Sequence, residues 1–274
     1  MGKLKHTLTN DVLFKLLFVR NPELLPNLVA TLLGIEPESI EELEITNSEM
    51  LPEVKGGKLC RLDINMRVDG RIVNLEVQVK DEGNYPERSL HNWARLYSGA
   101  LNAGQKYQEL PRTIVVSIVE FSLFDCAEFH SEFRPLEVTR GTLLTDKMCL
   151  HYFELNKLPK TDDADDMLGL WLSLFKAKTE TELKIIENKG IPIMTQAVEA
   201  YRRISVTNEF AELERAREKA ALREMTIIGK ARREGERKAD EKWQGVVAEK
   251  DNAIAQKDTY IVKLEAMLGI RDKL

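Results

Sequence analysis

The sequence has few residues of the types that cross-link chains or bind soft metal ions. Its 274 residues include three cysteines, Cys60, Cys126 and Cys149, which are odd in number and far apart. They match neither a disulfide framework nor the ligand spacing of a zinc site, so we expect buried thiols in a reducing compartment. The four histidines are scattered without paired spacing, which argues against a histidine-rich metal site.

The sequence also lacks a long hydrophobic run. No apolar stretch approaches the roughly 20 residues that cross a bilayer, and the opening segment, MGKLKHTLTN, lacks the apolar core of a signal peptide. We therefore expect a cytoplasmic protein that does not enter a membrane. The formal net charge of -5 gives no bulk attraction to nucleic acid, so any contact with DNA must use local basic surface.

Helical and extended patterns alternate along the first part of the chain. The spacing of apolar residues predicts a helix from Arg88 to Lys106, and runs rich in β-branched residues predict buried strands. The segments predicted to be extended are residues 43–54, 112–121 and 148–155. We expect a core at residues 1–160, a helical extension packed on that core at 161–209, and a charged helical tail at 210–274.

The tail carries an apolar residue at every seventh position. These positions are Val247, Ile254, Ile261 and Leu268. A seven-residue repeat is typical of a coiled-coil seam, which would let two copies of the chain pair. Lys250 and Lys257 occupy places where a second apolar row would lie, so a solvated single helix is the alternative.

Two alternating segments flank the dipeptide Asp69-Gly70, which is a strong signal for a two-residue hairpin turn. If these residues form the turn, counting outward along both strands brings Asp63 opposite Glu76. The alternation supports this register because it collects one apolar set of side chains on a single side. That set is Leu62, Ile64, Met66 and Val68 on the first strand and Val73, Leu75, Val77 and Val79 on the second. A slip of one residue would bury the polar set instead.

Asp63 and Glu76 are carboxylates at directly opposed positions, where like charges destabilise a hairpin. A divalent cation between them would offset the repulsion, and their hard oxygen ligands suit magnesium or calcium. Arg61 and Arg67 lie on the same side of the hairpin, so an ordinary ion network is the alternative. The residues alone leave both interpretations open.

Several segments of the chain are similar to those of a known family. They are NDVLFKLLF at 10–18, LDI at 62–64, LEVQV at 75–79, ERSLHNWARLYS at 87–98, TIVVSIVEF, and HYFEL followed by NKLP. Together they cover most of the predicted core, and the chain resembles the recombination-promoting nuclease and transposase family of the PD-(D/E)XK nuclease superfamily. The charged helical tail is also typical of that family.

The resemblance implies an α/β fold with a mixed central β-sheet flanked by helices, a restriction-endonuclease-like core, and metal-dependent cleavage of DNA phosphodiester bonds. On matching positions, Asp63 and Glu76 would bind the metal with help from the backbone carbonyl of Val77. The implied cofactor is Mg²⁺, or another divalent cation such as Ca²⁺ or Mn²⁺. Asp11 stands where the superfamily often has another acidic group, although a carboxylate at a helix N-terminus is also stabilised by the helix dipole.

Gln78 stands where the superfamily pattern has lysine. A lysine can orient the attacking water and offset charge in the transition state, whereas a glutamine only forms hydrogen bonds. The family usually carries glutamine there, so the resemblance implies that Gln78 positions the water. Lys80 lies on the same strand face one pleat further along and is the alternative source of positive charge.

The predicted helix after the hairpin carries a polar stripe. Arg88, Asn92 and Arg95 are spaced i, i+4 and i+7, opposite the apolar side of the helix. Near the carboxylates, Arg88, Arg95 and Lys80 could hold phosphates, which supply most of the affinity in DNA contacts. Without the family resemblance, the stripe would be an ordinary solvated helix face.

These observations predict a magnesium-dependent DNA endonuclease with little sequence specificity, acting as a homodimer or higher homo-oligomer. Recombination or action on foreign DNA would suit such an activity. The alternative is a catalytically weak DNA-binding or assembly protein that works through its helical tail, which Gln78 and the negative net charge favour. The sequence leaves cleavage of RNA open.

Overall fold

The computed structural model divides into two compact units. The residues that it describes are 2–47, 54–55, 58–59 and 63–268. The first unit comprises residues 1–54 and 60–218, and the second comprises residues 55–59 and 219–274. Leu62 and Arg61, predicted on the first hairpin strand, and residues 48–53, predicted to be extended, lie outside the described residues.

Helices and strands alternate along the chain. In chain order the helices are α1 (Asp11–Arg20), α2 (Leu25–Leu33), α3 (Tyr85–Ser98), α4 (Met167–Lys176), α5 (Glu180–Asn188), α6 (Pro192–Ser205) and α7 (Asn208–Leu268). The strands are β1 (Leu43–Ile45), β2 (Val54–Lys55), β3 (Lys58–Leu59), β4 (Ile64–Val68), β5 (Arg71–Gln78), β6 (Thr113–Val119), β7 (His130–Phe133) and β8 (Met148–Glu154). The chain begins α1 after Asn10, whose side-chain oxygen accepts from the Leu13 amide at 2.9 Å.

A mixed sheet with strand order β1-β4-β5-β6-β8-β7 forms the centre of the first unit, and β2 pairs with β3 separately. β5, β6 and β8 run parallel, whereas β1–β4, β4–β5 and β7–β8 are antiparallel pairs. The connection through α3 supplies the crossover that a parallel β5–β6 pair requires. This arrangement confirms the predicted α/β class, a mixed central sheet with flanking helices and a long C-terminal helix.

The apolar side of the hairpin faces the larger of two hydrophobic cores. Ile64, Met66 and Val68 are fully buried there, in one cluster with side chains of α1, α2, α4, α5 and α6. A smaller core around Val115 and Tyr152 lies beneath α3 on the opposite face, because successive strand residues point to opposite sides. Burial on both faces therefore fixes which way each strand residue points.

The hairpin register predicted from the sequence is confirmed from Ile64 paired with Leu75 to Val68 paired with Arg71. Asp69 and Gly70 both have positive φ, 48° and 74°, as a two-residue turn of this hand requires. The Asp69 carboxylate also accepts hydrogen bonds from the backbone amides of residues 41 and 42, at 3.1 and 2.9 Å. These bonds tie the turn to the segment that leads into β1.

Other elements differ from the sequence predictions in their limits. The helix predicted from Arg88 to Lys106 is α3, which begins earlier because Pro86 fits the first helical turn, and which ends before Gly99. Only part of the segment predicted to be extended at 43–54 forms β1. β7 was not predicted, since its sequence HSEF is short and mostly polar. The strands predicted at 112–121 and 148–155 are confirmed as β6 and β8.

The heptad residues of the tail lie in α7, a 61-residue helix. Val247, Ile254 and Ile261 are about half exposed, and Leu268 is 70% exposed. Among the described residues, no helix is long and apolar enough to cross a membrane. The three-part division of the chain stays a prediction.

Replacing Gly70 with valine should lower the free energy of unfolding by about 1–2 kcal/mol, because a β-branched residue at positive φ is strained. A Cβ at this position meets nothing within 4 Å, so the loss would come from the backbone rather than from a clash. Gly70→Asn is the matched control and should lose much less, since asparagine tolerates left-handed conformations. Urea unfolding measures both variants, and equal losses would contradict the turn geometry.

Candidate metal centre

Asp63 lies immediately before β4. Here the side chain of Asn47 forms the hydrogen bonds to the backbone that the β1–β4 strand pair no longer provides. Asn47 Nδ2 donates to the Asp63 carbonyl at 3.1 Å, and its Oδ1 accepts from the Asn65 amide at 2.7 Å. The Asp63 carboxylate accepts a hydrogen bond from Asn74 Nδ2, which lies 2.6 Å from Oδ2. Asp63 is therefore held through its backbone on one side and through its carboxylate on the other.

Glu76 lies on β5, on the face of the sheet that α3 covers, and is only 7% exposed. Asn92 on α3 donates from Nδ2 to Glu76 Oε1 at 2.5 Å. The Tyr85 hydroxyl donates to Oε2 at 3.5 Å. Burial raises the pKa of Tyr85 and the nearby charge of Glu76 raises it further, so this hydroxyl stays protonated at neutral pH. Asn92 and Tyr85 are thus uncharged donors that contact Glu76.

Asn74 links the two hairpin strands beside these carboxylates. It lies two residues before Glu76 on the same face of β5, and its Nδ2 donates to both Asp63 Oδ2 and Asn65 Oδ1, at 2.6 and 2.8 Å. Since both hydrogens point at oxygen acceptors, the orientation of the amide follows from its contacts. Its Oδ1 is buried and has no hydrogen-bond partner in the described part of the chain.

Asp63 directly precedes Ile64 and Glu76 directly follows Leu75, and Ile64–Leu75 is the last pair of the β4–β5 ladder. The two carboxylates therefore stand at the next position outward from this pair. Asn74 donates to Asp63 and Asn92 donates to Glu76, and both donors are neutral amides. Two carboxylates and an amide oxygen of Asn74, which has no hydrogen-bond partner among the described residues, make the type of oxygen donor set that Mg²⁺ and Ca²⁺ prefer. The residues present therefore fit a divalent cation.

A comparison with protein families identifies the family of the chain. The family described as PD-(D/E)XK nuclease family transposase matches residues 8–231, which include the hairpin and α3. The chain belongs to this family. PD-(D/E)XK nucleases are nuclease-type hydrolases that generally use divalent metal ions. Searches of curated proteins and of solved structures found no significant match.

Gln78 occupies the position at which the PD-(D/E)XK pattern has lysine. It is 6% exposed, on the same face of β5 as Glu76, and its Nε2 donates to the Lys80 carbonyl at 2.6 Å. Lys80 follows the end of the strand and is exposed. Val77, between the two polar residues, packs its side chain against the larger core. The catalytic and metal-binding roles inferred for these residues stay predictions.

Asp11, the additional acidic residue that the superfamily suggests, is the first residue of α1. Its Oδ1 accepts from the Val12 amide at 3.1 Å, and its Oδ2 accepts from Arg217 Nε at 2.8 Å. Asp11 therefore lies at a helix N-terminus, where the helix dipole stabilises a carboxylate, and it also forms an ion pair with Arg217. A role as metal ligand stays a prediction.

The polar stripe of α3 consists of Arg88, Asn92 and Arg95, and its middle residue, Asn92, contacts Glu76. Arg88 lies over the Tyr85 ring, with its guanidinium carbon 4.5 Å from the ring centre, and its Nη1 is 3.4 Å from Glu82. Arg95 is exposed. Contact of these arginines and of Lys80 with DNA stays a prediction.

The contacts by which four side chains hold the two carboxylates were not predicted from the sequence. These side chains are Asn47, Asn74, Tyr85 and Asn92. Strand alternation could have identified Asn74, because it lies two residues before Glu76. Asn92 was recognised as part of the polar stripe, but its contact with Glu76 depends on how α3 packs. Asn47 and Tyr85 carry no local signal that relates them to the hairpin.

Asn92→Asp should destabilise the protein by about 1–3 kcal/mol at about pH 8, because it replaces a donor with a second carboxylate beside buried Glu76. The repulsion raises the pKa of the pair in the folded state above that in the unfolded chain. The loss is therefore full above the raised pKa and shrinks as the pH falls towards about 5. Thermal unfolding over this pH range measures the effect.

Asn92→Leu is the matched control for this experiment. It removes the same donor without adding a charge, so its loss of stability should change little over the same pH range. If both variants showed the same pH dependence, the contact between Asn92 and Glu76 would be contradicted.

Proposed function

We propose that the protein is a divalent-metal-dependent endonuclease that hydrolyses DNA phosphodiester bonds with little sequence specificity. The observation that carries this proposal is the pair of carboxylates Asp63 and Glu76 at the open end of one hairpin, with Asn74 between its strands. Oδ1 of Asn74 has no hydrogen-bond partner in the part of the chain that the structure describes. Membership of a nuclease family supports the reaction class. The oxygen donors support a hard cation, with Mg²⁺ expected and Ca²⁺ or Mn²⁺ as substitutes.

In this proposal Asp63, Glu76 and the backbone carbonyl of Val77 hold the cation. A cation bound there polarises the phosphate and lowers the pKa of the water that attacks phosphorus. Asn74 and Asn92 keep the two carboxylates in place, since each donates to one of them. Asp11 would serve as a further ligand only by giving up its ion pair with Arg217.

Gln78 is proposed to position the attacking water, because its amide lies on the Glu76 face of β5 close to the end of the strand. A glutamine can accept and donate hydrogen bonds but cannot offset negative charge in the transition state. Lys80 is the nearest residue along the chain that could supply that charge, and its exposure leaves the amine free to turn towards a bound phosphate.

Arg88, Arg95 and Lys80 are proposed to hold the DNA backbone. Contacts to phosphate fix the position of DNA without reading its bases, which accounts for the expected lack of specificity. Because the net charge of the chain is -5, the protein as a whole repels DNA, and the attraction of these three basic residues would have to exceed that repulsion. A non-specific DNA endonuclease would suit either recombination or the removal of foreign DNA.

Purified protein should nick plasmid DNA with Mg²⁺ and should not do so with EDTA. Asp63→Asn and Glu76→Gln keep the size of each side chain and remove its charge, so each should lower the nicking rate by about 100-fold or more. Asp125→Asn removes an exposed carboxylate elsewhere in the first unit and is the matched control, with activity like that of the wild type.

A Mn²⁺ binding titration of the same variants separates loss of the metal from loss of chemistry. Weakened Mn²⁺ binding in Asp63→Asn and Glu76→Gln would agree with the proposal. Cleavage that persists in EDTA, or variants that bind metal and cut as the wild type does, would show that the activity does not depend on this site.

A second candidate function, assembly through the tail, is favoured by the exposed apolar residues of α7. Val247, Ile254 and Ile261 recur every seven residues and are about half exposed. We infer that this seam pairs with the same seam of a second copy as a coiled coil, since a heptad row is buried only against another helix. A homodimer would also bring together two nuclease sites, one for each DNA strand.

Ile254→Glu should convert a dimer to a monomer in light scattering coupled to size exclusion, because it places an unpaired charge in the seam. Thr259→Glu adds the same charge five residues further along α7, outside the heptad row, and should remain dimeric. A wild-type protein that is already monomeric, or two variants that behave alike, would contradict pairing through this seam.

A further inference from the structure

A cluster of sulfur, imidazole and carboxylate groups lies on the edge strand β7 and its neighbour β8. Glu132, Cys149 and His151 each bring one atom able to bind a metal within 4.8 Å of the others. Cys149 Sγ lies 3.1 Å from His151 Nε2 and 3.2 Å from the Glu132 carboxylate. Cys149 is fully buried and His151 is 5% exposed, whereas Glu132 is exposed, so the cluster reaches from the interior of the fold to its surface.

This cluster is separate from the hairpin carboxylates. The strand register aligns Glu76 with Ser117 on β6, and Ser117 with Tyr152 on β8. Since neighbouring strand residues point to opposite faces, His151 lies on the face opposite to Glu76. The two sites therefore face different layers of the first unit.

His130 and Arg134 complete the surroundings of the cluster. His130 Nε2 lies 3.0 Å from His151 Nδ1, and Arg134 Nε donates to Glu132 Oε1 at 2.5 Å. One arrangement of hydrogens satisfies the contacts, with His130 donating to His151, His151 to Cys149, and Cys149 to Glu132. This hydrogen-bonded chain is the alternative to a metal site, and it keeps a proton on both Cys149 Sγ and His151 Nε2.

We propose that Glu132, Cys149 and His151 bind a transition-metal ion of the zinc class. Metal–ligand bonds of about 2.0 to 2.3 Å in a tetrahedron separate the ligand atoms by about 3.3 to 3.8 Å. The two Sγ distances in the cluster are only slightly shorter, so a small outward movement would admit the ion. The ion would take the positions of the protons on Cys149 Sγ and His151 Nε2. Both imidazoles would change tautomer and stay neutral, so one proton in total, that of the thiol, would be released to solvent.

The ligand types in the cluster determine which metal ions it would bind. Thiolate and imidazole suit zinc, cobalt and copper, whereas carboxylate and carbonyl oxygens suit magnesium and calcium. The cluster and the hairpin carboxylates would therefore take different ions. His130 would then accept a hydrogen bond from His151 Nδ1, and such an outer partner fixes the ring that binds the metal.

A cavity of about 60 Å³ adjoins the cluster. Its lining includes Glu132, His151, Arg71, Arg112 and Arg134. Such a volume has room for one or two water molecules, which leaves a fourth coordination position for water or a small anion. The buried Nε of Arg112 has no hydrogen-bond partner among the described residues, and it could donate to that fourth ligand.

Titration of the full chain with Co²⁺ tests this proposal by absorbance and needs no nuclease assay. The wild type should develop a thiolate-to-cobalt charge-transfer band in the near ultraviolet and the visible bands of tetrahedral cobalt, and Zn²⁺ should displace both. Cys149→Ser should lose the charge-transfer band. His130→Phe should keep the band and weaken Co²⁺ binding by about 10- to 100-fold.

The double variant Cys60→Ser, Cys126→Ser keeps Cys149 as its one cysteine and is the matched control. It leaves the cluster unaltered and should give the wild-type spectrum. Absence of the band in a double variant that unfolds like the wild type would overturn the proposal. An unchanged band in Cys149→Ser, or half-saturation of the wild type only above millimolar Co²⁺, would overturn it as well.

Discussion

The register of the β4–β5 hairpin is the constraint on which the candidate metal centre depends. Asp69 and Gly70 fix this register in a two-residue turn, and the period of two then sends alternate residues to opposite faces of the sheet. The apolar residues from Ile64 to Val68 and from Val73 to Val77 pack in or against the larger core, while Asp63 and Glu76 come to neighbouring positions towards α3. Because a slip of one residue would exchange the two sets, burial of the apolar side also specifies the position of the carboxylates.

The hairpin carboxylate Asp63 is held differently from the fully buried carboxylate of Glu154. Glu154 pairs with Lys157 at 2.8 Å and accepts from the Leu123 amide at 2.6 Å, so its charge is compensated within the protein. Asp63 accepts from the neutral amide of Asn74 instead. A neutral donor orients the oxygen, and the charge of this partly buried carboxylate is left for solvent or a bound cation to compensate. This contrast is the physical reason for assigning cation binding to the hairpin.

Local patterns predicted the hairpin and the buried strands because turn chemistry and a period of two are readable within a few residues. The partners of the site could not be predicted in that way. Asn92 reaches Glu76 only because α3 packs across β6 and β8, and Asp11 meets Arg217 from 206 positions away. The zinc-class cluster depends in the same way on β7, whose short polar sequence lacks a strand pattern, so the spacing of the histidines and cysteines gave no sign of it.

Anomalous diffraction from crystals grown with Mn²⁺ tests the central claim most directly. We expect an anomalous peak about 2.1 Å from carboxylate oxygens of both Asp63 and Glu76, with Asn74 and Asn92 still donating to those carboxylates. Peaks only at other carboxylates, with Asp63 and Glu76 in their present hydrogen bonds and no ion between them, would contradict it.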